Sequence, residues 1–219
     1  MDVANQEAVT PPSLAEQAYT LLEDKLVTLA LPPGSMISEG NLIEMSGLGR
    51  TPVREALQRL AQQDFFRVLP RKGLLVTAVT RAAMQHILEA RRPLESLIVY
   101  RAALNARDEQ RSGLSAIARI LTISYDSFDD FVSLDRQLST LLDTCSANPY
   151  ASAAVSPLRS HCRRFWYFYR ERMQIYDSIS ALSKMTRLVA RRDFKGAQKA
   201  SDSIMAVLER MVANVDRIN

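Results

Sequence analysis

The chain has 219 residues, 47% of them apolar, and carries a formal net charge of +4, so it can hold one or two domains with real cores. Two cysteines are too few for a disulfide framework, and Cys145 and Cys162 are expected as reduced, buried thiols. No segment has membrane-spanning apolar length and no signal-peptide pattern opens the chain, so a cytoplasmic protein with no membrane partner is expected.

Residues 1 to 13 lack periodicity and read as a flexible arm. Leu14, Ala18, Leu21, Leu22, Leu26 and Leu29 form one helical stripe, which Leu31-Pro32-Pro33-Gly34 stops. Met36 and Ile37 can form a small strand, and Ser38 is a good N-cap for a helix running through Leu42 to Met45. Gly47 suits the left-handed position that closes that helix. The next helix places Arg50 and Arg54 four residues apart on one face, with Val53, Ala56, Leu57 and Leu60 on the core-seeking face. Pro52 falls in its first turn, where no backbone donor is missed.

A short apolar strand then ends in the tip Pro70-Arg71-Lys72-Gly73, and Leu74, Leu75 and Val76 can pair back along it. Charge follows the same division. Met1 to Gly49 holds one Lys or Arg against seven Asp or Glu, whereas Arg50 to Arg81 holds seven against two. A helix presenting two arginines beside a basic hairpin tip is what a winged helix-turn-helix needs to enter a major groove and touch the adjacent minor groove.

Thr80 can cap a new helix, which puts the domain boundary near residue 80. From there the period is helical, with helices expected near 81 to 107, 109 to 123, 127 to 145, 148 to 173, 175 to 192 and 194 to 217. The expected fold is mainly α. A winged helix-turn-helix with a small β-wing (14 to 79) precedes an all-α antiparallel bundle (80 to 219).

Ser38-Glu39, Leu42, Gly47, Arg50-Thr51-Pro52-Val53-Arg54-Glu55-Ala56-Leu57 and Arg71-Lys72-Gly73-Leu74-Leu75-Val76 resemble the DNA-binding domain of the GntR family of bacterial regulators. The resemblance covers roughly residues 14 to 79, and the helical remainder is similar to the FadR-type effector domain, or FCD domain. It implies that Arg50 and Arg54 reach base edges, most plausibly guanine O6 and N7. It places Thr51 on phosphate and Arg71, Lys72 and Gly73 at the wing tip, where glycine permits close backbone approach. The family often has Arg where Gly40 stands, so that contact is expected to be missing.

FCD domains often carry a metal pocket of one Asp or Asn and three His. Here the matching carboxylate is Asp135, in Leu134-Asp135, with Ala147-Asn148-Pro149-Tyr150 following. The histidine positions become Ser139, Leu182 and Ile204, and no His follows His161. Neither a metal nor any cofactor is therefore expected. His86 and His161 are expected to be structural. Arg91 resembles a pocket residue that clamps a carboxylate, with a helix-face ion pair to Glu95 as the equal alternative. Tyr125, Arg163, Trp166, Tyr167 and Arg170 can add walls and donors, although the aromatic run from Phe165 to Tyr169 goes right around a helix. Arg91, Asp135, Ser139, Arg163 and Tyr167 are the candidate effector residues.

The resulting reading is a homodimeric, DNA-binding transcription regulator on a palindromic operator, modulated by a small organic acid. One alternative is a constitutive regulator with a degenerate pocket; a second is a helical small-molecule-binding or enzymatic protein. No nucleophile with a paired His is present, so no catalytic residue is expected.

Overall fold

The Ser13 side chain accepts a hydrogen bond from the Glu16 amide and starts α1 (Leu14–Val27). The computed structural model describes residues 11–123, 127–172 and 176–215. Residues 1–10 of the expected arm, and Tyr125, lie outside that set. Along α1 the buried face is Ala18, Tyr19, Leu22 and Leu26. Leu14 is exposed at the helix start, and Leu29 sits beyond the helix with a left-handed φ of 64°, so the ends of the expected stripe do not join the core.

Ser38 caps α2 (Glu39–Ser46) through the Asn41 amide, and Gly47 closes it at φ 65° with its own amide donating to Ile43 and Glu44 carbonyls. After α3 (Arg50–Gln62) come β2 (Phe66–Leu69) and β3 (Gly73–Val76), paired antiparallel from Phe66↔Val76 to Leu69↔Gly73. The sequence left β1 (Met36–Ile37) without a partner. It pairs with the other edge of β3, Met36 opposite Leu75 and Ile37 opposite Leu74, giving a sheet in the order β1-β3-β2. Leu22, Leu26, Leu42, Val53, Leu60, Phe65, Phe66 and Val76 fill the core of this unit. Fully burying a side chain of this size contributes about 1.5–3 kcal/mol, so the three helices and the sheet stabilise one another through a shared interior.

The chain divides into two units, Met1–Ala78 and Val79–Asn219. In the second, Thr80 caps α4 (Arg81–Asn105) through the Ala83 amide. Then follow α5 (Asp108–Ile123), α6 (Phe128–Ser146), α7 (Pro149–Tyr169), α8 (Tyr176–Ala190) and α9 (Phe194–Asn214). The structure gives α7 an earlier end than the sequence does, with a tighter 3-10 turn at Arg170–Arg172. Asp108, read from sequence as an interruption, is the first residue of α5. Such small boundary shifts are where local propensity is weakest. α4 is the axis of the unit and packs against α6, α7, α8 and α9, while α5 packs on α8. Among the described residues no helix is long and apolar enough to cross a membrane.

Candidate functional site

On α3 the buried residues are Val53, Ala56, Leu57 and Leu60, so the helical period leaves Arg50, Thr51 and Arg54 exposed. Arg54, with 59% of its side chain accessible, donates from Nε to Glu39 Oε1 at 2.7 Å. Other cations of this basic segment are engaged within the fold. Arg59 pairs with Glu16 at 2.7 Å and lies 3.7 Å over the Tyr19 ring, and Arg67 sits 3.6 Å from Asp64. The α3 N-cap, Gly49, offers no side-chain acceptor, so no hydroxyl claims the first amides of the helix.

At the wing tip the Lys72 amide donates to the Leu69 carbonyl at 3.0 Å across Pro70 and Arg71, with Arg71 at φ 63°. Pro at the second position and a left-handed third residue are the pattern of a type II turn. It leaves the Arg71 and Lys72 side chains exposed. Gly73 needs its missing Cβ for a reason the sequence did not reveal. At φ 103° an added Cβ would lie 2.9 Å from the Ile37 carbonyl oxygen, so the close approach is to β1.

The second unit gathers a different set of arginines. Arg91 and Glu95 from α4, Asp135, Leu138, Ser139 and Leu142 from α6, Arg159 from α7, Leu182 and Met185 from α8, and Ser201, Ile204 and Met205 from α9 line one cavity of about 20 Å³. That volume holds about one water molecule. Glu95 receives Arg91 Nε at 2.8 Å, Arg159 Nε at 2.7 Å and Arg159 Nη2 at 2.7 Å. Arg159 Nη1 reaches both oxygens of Asp143 at 2.9 Å. Arg163 donates from Nε to Asp135 Oδ2 and from Nη2 to Ser139 Oγ, each at 2.8 Å.

Burial alone would raise the Glu95 carboxyl, but the Arg159 and Arg91 guanidinium groups outweigh it and hold the group well below the usual carboxylate range. Burial pushes the Cys162 thiol up, with Arg91 beside it pulling the other way. Arg91 Nη1 is buried with no hydrogen-bond partner among the described residues. Cys145 and Cys162 are both free thiols and buried.

The structure thus brings Arg91, Asp135 and Ser139 to one cavity, with Arg163 bonded to the last two but not lining it, and Arg91 does form the ion pair with Glu95. Tyr167 is placed elsewhere. Its hydroxyl donates to Asp129 Oδ1 at 2.6 Å and its ring meets Phe128 edge-on, so it is not among the cavity's lining residues. Trp166 is buried against Phe131, and Arg170 is exposed beside Glu171. His86 is exposed, and His161 is half-buried with a partner. Sequence reasoning missed Arg159 and Asp143. The available signal was the α7 stripe Val155, Arg159, Cys162 and Trp166, which places an arginine among residues bound for the interior.

The model of the FCD domain matches residues 86–207, and that of the bacterial regulatory proteins, gntR family, matches residues 14–76. The chain belongs to the GntR family. More narrowly, it is an FCD-bearing GntR regulator, a transcriptional regulator and not an enzyme. YdfH of Escherichia coli O6:H1, an uncharacterized HTH-type transcriptional regulator, is 26% identical over 218 residues, 94% of this chain and 95% of its own. The HTH-type transcriptional repressor RspR of Escherichia coli K12 is 25% identical over the same span and shares. Among solved structures, E. coli McbR/YncC matches with a TM-score of 0.81 at 21% identity, covering 95% of this GntR regulator and 100% of that chain. At that identity the likeness speaks for the fold.

Proposed function

We propose that this GntR regulator binds a palindromic operator as a homodimer in the cytoplasm. Arg50 and Arg54 would meet base edges in the major groove, and Thr51 would hold phosphate. Arg71, Lys72 and Gly73 would bring the wing to the neighbouring minor groove. The observation that carries this reading is the division of α3. Its apolar face is consumed by the core, while two arginines on the opposite face stay in water, where binding DNA asks for little further desolvation. Two-fold symmetry turns one such reading head into an inverted-repeat preference. That RspR is named a repressor supports repression as the output. Selection of bound sequences from random duplexes tests the proposal. An inverted repeat should be recovered with wild type, and its guanine positions should lose their preference in Arg54→Ala. Enrichment unchanged by that substitution would defeat the base-reading role.

The helical domain, residues 80 to 219, is proposed as the effector and dimerisation domain. A small organic acid would meet the buried Arg91 nitrogen that has no acceptor among the described residues, in the pocket that Asp135 and Ser139 help to line, with Arg163 holding those two from behind. A second reading, a constitutive regulator, is favoured by the small cavity and by the ion pairs that already satisfy Glu95 and Asp135. Thermal-shift screening with organic acids, followed by operator titration, separates the two. An acid that raises Tm and alters operator affinity supports regulation, and a flat response supports constitutive binding.

A further inference from the structure

The FCD resemblance implies a metal held at the positions of Asp135, Ser139, Leu182 and Ile204, and all four positions do line one cavity. The residues present do not fit a metal. Leu182 and Ile204 offer no lone pair, and a single carboxylate with one hydroxyl falls short of the three or four converging donors a transition metal needs. Among the described residues no cluster of three or more His, Cys, Asp or Glu is suited to a metal ion.

What the structure shows on those two remaining donors is a side chain. Arg163, buried at 5% exposure on α7, sends Nε to Asp135 Oδ2 and Nη2 to Ser139 Oγ. We propose that the Arg163 guanidinium, packed beside this pocket and not lining it, takes the cation's place by bridging the Asp135 carboxylate and the Ser139 hydroxyl where a metal ion would otherwise be held. A guanidinium stays protonated at any working pH and carries donors only, so it neutralises the carboxylate without being a ligand itself. It ties α7 to α6, whereas a metal at the four positions would tie α6 to α8 and α9. It also repels any second cation approaching the same carboxylate, so metal exclusion is built in. The leucine and isoleucine agree with this, since no cation remains for α8 and α9 to ligate. The proposal concerns the helical domain alone and holds whether or not an effector binds there.

Three measurements test it. The full-length wild-type protein, purified from zinc-replete medium, should carry only substoichiometric metal, and neither chelator nor added zinc should move its Tm. One metal per chain that disappears in Asp135→Asn would overturn the proposal. Next, Ser139→His, Leu182→His and Ile204→His are combined, with Arg163 either kept or changed to Ala. Zinc titration should show binding weaker by at least about tenfold while Arg163 remains. Equal zinc affinity in the two backgrounds would overturn the idea that the guanidinium occupies the cation's place.

Should the fourfold variant fail to fold, the single-site cycle decides. Arg163→Ala should lower Tm, Arg163→Lys should lower it less, and adding Asp135→Asn to Arg163→Ala should recover part of the loss by removing a carboxylate that has lost its hydrogen-bonded counter-charge. No loss in Arg163→Ala, or no recovery in the double variant, contradicts the assignment.

Discussion

Arginine serves two opposite purposes in the two units of this protein. On α3, Arg50 and Arg54 stand in water, and among the described residues Arg54 pairs with the accessible Glu39. In the helical domain Arg91, Arg159 and Arg163 are at most 7% exposed, and carboxylates take hydrogen bonds from each. An exposed guanidinium can exchange water for a nucleic acid at small cost. A buried one has already been desolvated, and its partners are required for the fold to tolerate it. Position relative to a core, more than residue type, therefore separates arginines available to a partner from a structural cluster.

Breaking the buried side should have the largest effect. Glu95→Ala leaves Arg91 and Arg159 short of their shared counter-charge and should cost about 3–5 kcal/mol, measured by chemical denaturation. Operator contacts are untouched by that change, so protein that remains folded at low temperature should still bind DNA. Acid sharpens the same point. The Glu95 pKa is depressed in the folded state, so its stabilisation is complete above the unfolded carboxyl pKa of about 4.3 and is lost as pH falls below that value. Glu95→Gln should therefore flatten the acid limb of the Tm-against-pH curve, and an unchanged limb would show that other carboxylates set it.

On the exposed side, Arg54→Ala should weaken operator binding by about 1–3 kcal/mol with little effect on random duplex or on Tm, read by fluorescence anisotropy. Glu39→Gln should alter stability by no more than about 1 kcal/mol, as for an exposed pair. It should tighten binding to any duplex at low salt while lowering the operator-to-random ratio, because Arg54 loses the partner that fixes its direction. The smallest effect belongs to the α3 cap. Ser13, Ser38 and Thr80 each accept from the amide three residues on, but three beyond Gly49 is Pro52, which has none. Gly49→Ser should therefore shift stability by only a few tenths of a kcal/mol.

The fold of the first unit was legible in the sequence because its signals are local. The spacing of Val53, Ala56, Leu57 and Leu60 orients α3, Gly47 has the left-handed φ its position demanded, and the Arg71-Lys72 tip lies between strands that pair with their neighbours in sequence. The helices of the second unit were also legible from periodicity. Their ion pairs were not, since Arg159 and Glu95 are 64 residues apart and nothing in either helix alone specifies the other. Arg91 illustrates the boundary: its pairing with Glu95 four residues on was readable, whereas the burial of its remaining nitrogen depends on packing that α4 alone does not specify. The partner of β1 escaped for the same reason, as Met36 and Leu75 meet only in three dimensions.

The wing root sets a limit on how the tip of this regulator's wing can be rewritten. Positions 71 and 72 project from a turn into solvent; position 72 tolerates most side chains, whereas the left-handed φ of 63° at position 71 disfavours β-branched ones. Position 73 admits no change: any side chain would drive against the Ile37 carbonyl and prise β1 from the sheet, so of the three tip positions one is open, one restricted and one fixed as glycine.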